Sequence, residues 1–445
     1  MIDLILENAK IFTEGGIKEG GIAIDEGKIF KIGKESNLPP ASKKIDCQGN
    51  LILPGIIDVH VHLRDLDLSY KEDFLSGTRA ALAGGVTTVL DMPNTKPRTD
   101  NPDIFKLKLK AAASKIVCNV GFYSAIPKNL QDIINLVKLG AVGFKIYPDH
   151  PYSNFDFADD EQLGSLFNLL KKTQLPVVVH AEKKDTNELV KKYKDENDTD
   201  IEAFLKAHNS YSETSTIDRC INLIKQNPIK LHFAHISASA SIKKIIEAKN
   251  NGIHFTLEIT PHHLLLDSDL LQTKATFSKM VPPLRKKSDR NALWEGINSG
   301  FVDIMATDHA PHSLDEKKSN FLEAPSGIPG LETFLPLMLT HINQRRLSLE
   351  KFIKLSAENP AKIFNIRNKG KILTKFDADL VLVDLKEKYK INSDNFYSKA
   401  HFSPFNGFEV QGIPIMTILA GEIIMDHGEI FAKEGIGSII KPQIN

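Results

Sequence analysis

His60 and His62 stand one residue apart at the end of an apolar run, 51–57. Side chains two apart on a strand face the same way, so both imidazoles can reach one metal ion from a single strand end. Alone, the pair is ambiguous, because a histidine after an apolar run is more often a hydrogen-bonded core residue. Repetition changes the balance: Lys145, His180, His235 and Asp308 close later apolar runs in the same way. Protonated Lys145 has no lone pair for a metal. It is either an ion-pairing or snorkelling side chain or, N-carboxylated by carbon dioxide, an anionic carbamate whose two oxygens can bridge two metals. His232 is expected to face away from His235 and to be structural, as are His262 and His263. His309 is expected to steady the loop beside Asp308.

The elements that must position these residues alternate between strand-like and helix-like patterns. Strands are expected at 56–60, 86–90, 118–123, 142–146, 176–180, 230–235, 253–259 and 303–307, with helices among them at 70–83, 131–139, 161–173, 213–225 and 239–250. Eight strand–helix units predict an α/β fold, a (β/α)₈ TIM-type barrel whose strand C-termini converge on the active site. An open doubly wound sheet is the alternative, but the chain lacks its Gly-rich phosphate turn. The charged stretch 183–200 reads as a solvated helix and loop. Hairpin patterns at 22–32 and 421–430 and a strand at 379–384 mark the two ends. Neither end has enough strands for a sheet of its own. Residues 1–52 and 365–445 are therefore expected to build one small β-sandwich, with the catalytic barrel, 53–364, inserted between them.

The 445 residues carry 56 basic and 56 acidic side chains, a balance that gives no sign of a nucleic-acid partner. Cys47, Cys118 and Cys220 have no paired spacing, which argues against disulfides or a cysteine zinc site and fits a reducing cytoplasm. Asp3 and Glu7 interrupt the first apolar stretch, so it does not read as a signal peptide. No apolar run approaches the roughly 20 residues of a membrane span.

Several stretches resemble the cyclic amidohydrolase superfamily and, within it, the dihydroorotases. They are Asp58-Val-His-Val-His-Leu-Arg64, Met92-Pro-Asn-Thr95, Thr260-Pro-His-His-Leu264, Val281-Pro-Pro-Leu-Arg285, Thr307-Asp-His-Ala-Pro-His312, Ser326-Gly-Ile-Pro-Gly-Leu-Glu-Thr333 and Glu358-Asn-Pro-Ala-Lys-Ile-Phe364. The resemblance implies reversible cyclisation of N-carbamoyl-L-aspartate to L-dihydroorotate in pyrimidine biosynthesis, by a hydroxide that two zinc ions activate. It assigns His60, His62, carboxylated Lys145 and Asp308 to one zinc, and Lys145, His180 and His235 to the other, with Asp308 as acid–base. Arg64, on the same strand face as His62, can pair bidentately with a substrate carboxylate. Asn94 and His312 would complete that clamp, and the backbone at Ser326 and Gly327 would close over the ring, with His62 also near the substrate.

The resemblance further implies a homodimer and an association with aspartate transcarbamoylase. The other readings are an allantoinase, a dihydropyrimidinase or hydantoinase, and an inactive assembly partner. Two departures bear on the pocket. The family often continues as Arg-Glu-Pro-Gly where this chain has Arg64-Asp65-Leu66-Asp67, and many bacterial members have Asn at the place of Val281.

Overall fold

The computed structural model describes residues 1–148, 159–183 and 185–443. Parallel barrel strands run at Ile56–Val61, Val86–Asp91, Asn119–Phe122 (continued by Ser124–Ala125), Phe144–Ile146, Val177–Val179, Leu231–Phe233, Thr256–Ile259 and Ile304–Met305. All residues of the first two strands are buried, because helices cover the outside and side chains fill the inside. The eight expected strands are thus present, but most are shorter than their apolar runs. For the sixth and eighth strands the reason is local: the chain leaves the sheet before His235 and Asp308, which have φ of 33° and 48°, outside any strand conformation. The first helix starts at Phe74 rather than near residue 70, because Asp73 caps it by accepting from Ser76 N at 2.8 Å. The helix Ser239–Asn250 spans its expected residues. The charged stretch holds the helix Thr186–Asp195, of whose residues only Thr186 is buried.

The barrel is two arcs of sheet, one of three strands and one of six. They meet within the third strand and, on the far side, between the first strand and the two-residue eighth. Among the described residues no ladder of backbone bonds closes that second seam. A single parallel bridge joins Val61 to His309, and His62 N donates to His309 O at 2.7 Å. Deeper in the seam a side chain replaces the ladder. The carboxylate of Asp58 accepts from Thr307 N, 3.2 Å from each oxygen, and from His60 N at 3.1 Å. Burial pushes this carboxyl up to about 7.

Strands from both ends of the chain join in one nine-stranded sheet, the β-sandwich region expected from the sequence. Leu51–Pro54 lies at its junction, parallel to Lys10–Ile11 on one edge and antiparallel to Leu380–Val383 on the other. One residue later the chain enters the barrel. A Cβ at Gly55 would lie 2.2 Å from Thr87 Oγ1, so only glycine fits the crossing. The chain later returns to the barrel, where Ile439 bridges Val120 and Ile440 N donates to Val120 O at 2.9 Å. Among the described residues no helix is long and apolar enough to cross a membrane.

Asp58→Ala leaves two buried backbone N–H groups without acceptors, each costing about 1–3 kcal/mol. The variant is expected to melt at a clearly lower temperature than the wild type; an unchanged melting curve would show that the seam does not need the carboxylate.

Candidate active site

The strand ends bring five of the expected ligands into contact. His60 Nε2 and His62 Nε2 lie 3.3 and 3.1 Å from Asp308 Oδ1. His60, His235 and Asp308 each offer a ligand atom within 4.8 Å of the others. His180 Nδ1 lies 3.0 Å from His235 Nε2. Lys145 is buried at the end of the fourth strand, its Nζ 5.2 Å from the centre of the Tyr147 ring. Its charge is among those acting on His235.

Three of the four ligand rings are held from behind. His60 Nδ1 donates to Glu258, His180 Nε2 to Glu182 at 3.1 Å, and His62 Nδ1 to Asn94 Oδ1 at 2.7 Å. A ring that donates through its outer nitrogen presents a lone pair through the inner one, the form a metal ligand requires. Sequence reasoning missed Glu258 and Glu182. The signals were present: a lone acid inside the apolar run of the seventh strand, and a His-x-Glu spacing after the fifth. His232, expected to face away from the cluster, instead donates through Nε2 to the same Glu258 at 3.0 Å. Strand alternation does not carry from His232 to His235, because the strand ends at Phe233. His263 is structural as expected, bonded to Thr260 Oγ1 at 2.8 Å and Pro282 O at 3.0 Å. His309 accepts from Gly330 N at 3.1 Å and so steadies the loop after Asp308.

The electrostatics fit a cation. Burial alone would raise the Asp308 and Glu258 carboxyls, but the adjacent histidines overcome it and hold both well below the usual range. Burial drives His62 down to about 4 and His235 well below the ordinary histidine value. His62 and His235, lowered in this way, sit with a buried carboxylate in a donor set suited to a divalent metal ion. His235 Nδ1 has no hydrogen-bond partner among the described residues.

Beside the cluster lies a cavity of about 580 Å³, lined by His60, His62, Arg64, Asn94, His180, His235, Asp308, His312, Ser326 and Gly327. Tyr147, Val190, Phe204, Val281 and Leu322 form other parts of its wall. A groove of about 650 Å³ between the helices Asp160–Lys171 and Ser210–Gln226 has no histidine in its lining. The expected clamp is partly assembled. Arg64 Nη2 lies 3.2 Å from His312 Nε2, which lies 3.0 Å from Ser326 O. Asn94, in the same cavity wall, is bonded to His62. A Cβ at Gly327, where φ is 141°, would lie 2.5 Å from Ala310 O, so the backbone needs glycine to approach here.

Arg64, Asp65 and Leu66 have φ of 58°, 47° and 50°. Asp65, with ψ of −165°, occupies a region nearly reserved for glycine, at about 1–3 kcal/mol of strain. Its own carboxylate offsets this by accepting from Leu66 N at 2.6 Å and Phe74 N at 2.8 Å. Leu63 N donates to Asp91 at 2.7 Å, and Asp91 is in turn paired with fully buried Lys108 at 2.6 Å. A proline at position 66 would need φ near −65°, so the loop has a conformation incompatible with the common Pro-Gly. The opposite rim is pinned by two buried ammonium groups. Lys279 donates to Phe321 O, Leu322 O and Ala324 O at 2.6, 3.2 and 2.7 Å. Lys317 donates to Pro325 O and Gly327 O, both at 3.0 Å. Burial pushes these lysines down to about 8 and about 7.

Residues 51–424 match the family model described as "Amidohydrolase family". The chain is 37% identical to a dihydroorotase of Methanothermobacter thermautotrophicus, over 98% of this chain and 97% of that one. It is 32% identical to an L-hydantoinase of Paenarthrobacter aurescens, over 99% and 98%. The solved structure of an L-hydantoinase (dihydropyrimidinase) from Arthrobacter aurescens superposes with a TM-score of 0.94 at 31% identity, covering 99% of this chain and all of that one.

Glu258→Gln keeps the shape but leaves His60 and His232 competing for a weaker acceptor. Metal affinity is expected to fall about 10–100-fold, as for lost outer contacts to ligating histidines. Titration calorimetry with zinc checks this, and an unchanged dissociation constant would remove Glu258 from the account.

Proposed function

The chain belongs to the amidohydrolase family, and from that premise we propose that it is a dihydroorotase, interconverting N-carbamoyl-L-aspartate and L-dihydroorotate. The hydrolysis of cyclic amides follows from its relatives; the choice of ring is the further step. One observation carries that step: buried Arg64 and His312 stand side by side in the cavity next to the Asp308 cluster. A guanidinium taken out of water needs an anionic partner, and dihydroorotate carries a carboxylate that neutral cyclic amides lack. Burial lowers Arg64 while the field of Asp308 opposes that fall.

The residues fit a pair of zinc ions. His60, His62, Asp308 and a carboxylated Lys145 would hold one, and Lys145, His180 and His235 the other. When bound, such ions acidify water towards neutrality and polarise a carbonyl. The chain's own part is positioning and proton transfer. Arg64 and His312 hold the substrate carboxylate with Asn94 beside them, and the Ser326–Gly327 backbone closes over the ring. Asp308 Oδ1 takes the proton of the attacking water as the C–O bond forms. It returns that proton to the ring nitrogen as the C–N bond breaks. Cyclisation runs the same path backwards. A positioned acid–base of this kind typically contributes about 10²–10⁴-fold.

The reading takes 53–364 as the catalytic unit between sandwich segments 1–52 and 365–445. It carries with it, on resemblance alone, a cytoplasmic homodimer that associates with aspartate transcarbamoylase. The second reading is a hydantoinase or dihydropyrimidinase, favoured by the L-hydantoinase likeness and by the apolar wall of Val190, Phe204, Val281 and Leu322.

A panel of L-dihydroorotate, dihydrouracil, hydantoin and allantoin with zinc-loaded protein decides between them. Turnover confined to dihydroorotate is expected, and turnover of a neutral ring alone would replace the first reading with the second. Arg64→Met is expected to cut kcat/KM for dihydroorotate by about 10²-fold or more, as for a broken buried charge pair, with zinc still bound.

A further inference from the structure

Lys71 lies outside the cavity lining, behind His312, on the loop between the turn Leu66–Leu68 and the helix Phe74–Ala83. Its Nζ is 3.1 Å from His312 Nδ1 and 2.7 Å from Glu316 Oε1. Glu316 is itself fixed. It accepts from Ser313 N and Ser313 Oγ, each at 3.1 Å, in the capping box of the helix Leu314–Lys317, and from Tyr70 Oη at 3.2 Å. Glu316 is 3.9 Å from His312 Nδ1, too far to accept a hydrogen bond from it. The ammonium is the group that meets that nitrogen.

An ammonium has three donors and no acceptor. Each ring nitrogen has a cationic donor beside it, Lys71 at Nδ1 and Arg64 at Nε2, but Nε2 also has an acceptor in reach, Ser326 O, so Nε2 carries the hydrogen and Nδ1 is the lone-pair nitrogen. The ring is otherwise neutral, because burial and the charges of Arg64 and Lys71 hold it well below the ordinary histidine value. Nε2–H then donates to Ser326 O at 3.0 Å, with Arg64 Nη2 beside it at 3.2 Å. With its hydrogen engaged by Ser326 O, Nε2 turns no lone pair towards the cavity, so an anionic group placed beside the Arg64 guanidinium meets no repulsion from the ring.

We propose that Lys71 is a positioning residue that fixes His312 as a hydrogen donor and so makes the pocket selective for a ring bearing an anionic group. This rests on the dihydroorotase reading for the identity of the anion, but the state of the imidazole does not. Without Lys71, Nδ1–H becomes accessible, and the ring can present a lone pair to the carboxylate it should hold.

Two measurements test this. In the first, ¹⁵N-histidine-labelled wild-type protein is examined by long-range ¹H–¹⁵N correlation, with the His312 signals assigned by their loss in H312N. A pyrrole-type Nε2 and pyridine-type Nδ1 are expected; the reverse would overturn the proposal. The second uses K71M, a substitution at a partly exposed position. KM for L-dihydroorotate is expected to rise about tenfold with kcat within about threefold, the size of one lost hydrogen bond to a charge. K71R, which keeps the cationic donor, is expected to restore KM. Unchanged KM in K71M, or a fall in kcat alone, would remove Lys71 from substrate selection. If the wild type turns over only neutral rings, the dihydroorotase reading fails, and the proposed selectivity fails with it even if the spectrum shows the expected tautomer.

Discussion

One buried carboxylate organises the floor of this site. Glu258 accepts from His60 Nδ1 and His232 Nε2, and also from His235 N at 3.2 Å. It thereby fixes two imidazoles and the backbone of a third ligand-type residue. A carboxylate buried in the middle of a barrel is expensive unless it is hydrogen-bonded, and Glu258 accepts three bonds. Glu182 and Asn94 do the same for His180 and His62 from other sides. The inner nitrogens of His60, His62 and His180 face the cluster because their outer ones have been given acceptors.

The second constraint is backbone strain at the strand ends. Arg64, His235 and Asp308 all have positive φ, where the chain leaves the sheet to present a side chain into the cavity. Such conformations persist only when their surroundings over-determine them. Here the supports are charged groups that never line the cavity, such as Lys108 through Asp91 and Lys115 on Asp65 at 3.1 Å. Lys279 and Lys317 serve the opposite rim in a different way, by gathering backbone carbonyls around ammonium groups.

The barrel was legible because apolar runs and ligand-type residues fall at the same places in each repeat. The helix Ser239–Asn250 could be bounded from its pattern, whereas the start of Phe74–Ala83 depended on a single cap at Asp73. The sixth and eighth strands were overestimated because hydrophobicity runs on towards His235 and Asp308, where φ is positive, whereas the fourth and seventh lose residues at their starts. His60, His62, His180, His235 and Asp308 could be found because strand ends converge in this architecture. Glu258, Glu182 and Lys71 act through other side chains, and a sequence shows no partner. The position of Asn94 against His62, and the Leu66 backbone that excludes proline, depend on contacts between distant segments.

The strand Leu51–Pro54 has one edge on nearby residues and the other on Leu380–Val383, with the whole barrel between them in the chain. Its first neighbour can pair early, because closing a short loop costs little entropy. Its second neighbour cannot arrive until the intervening segment has become compact. Until then the strand keeps a row of unpaired amides and carbonyls, the template on which another molecule's strand can dock. For this architecture the hazard during folding is therefore one of timing. The barrel must collapse faster than two unfinished molecules meet at that open edge, so dilution and prompt barrel closure protect the chain in ways that the stability of the finished fold does not measure.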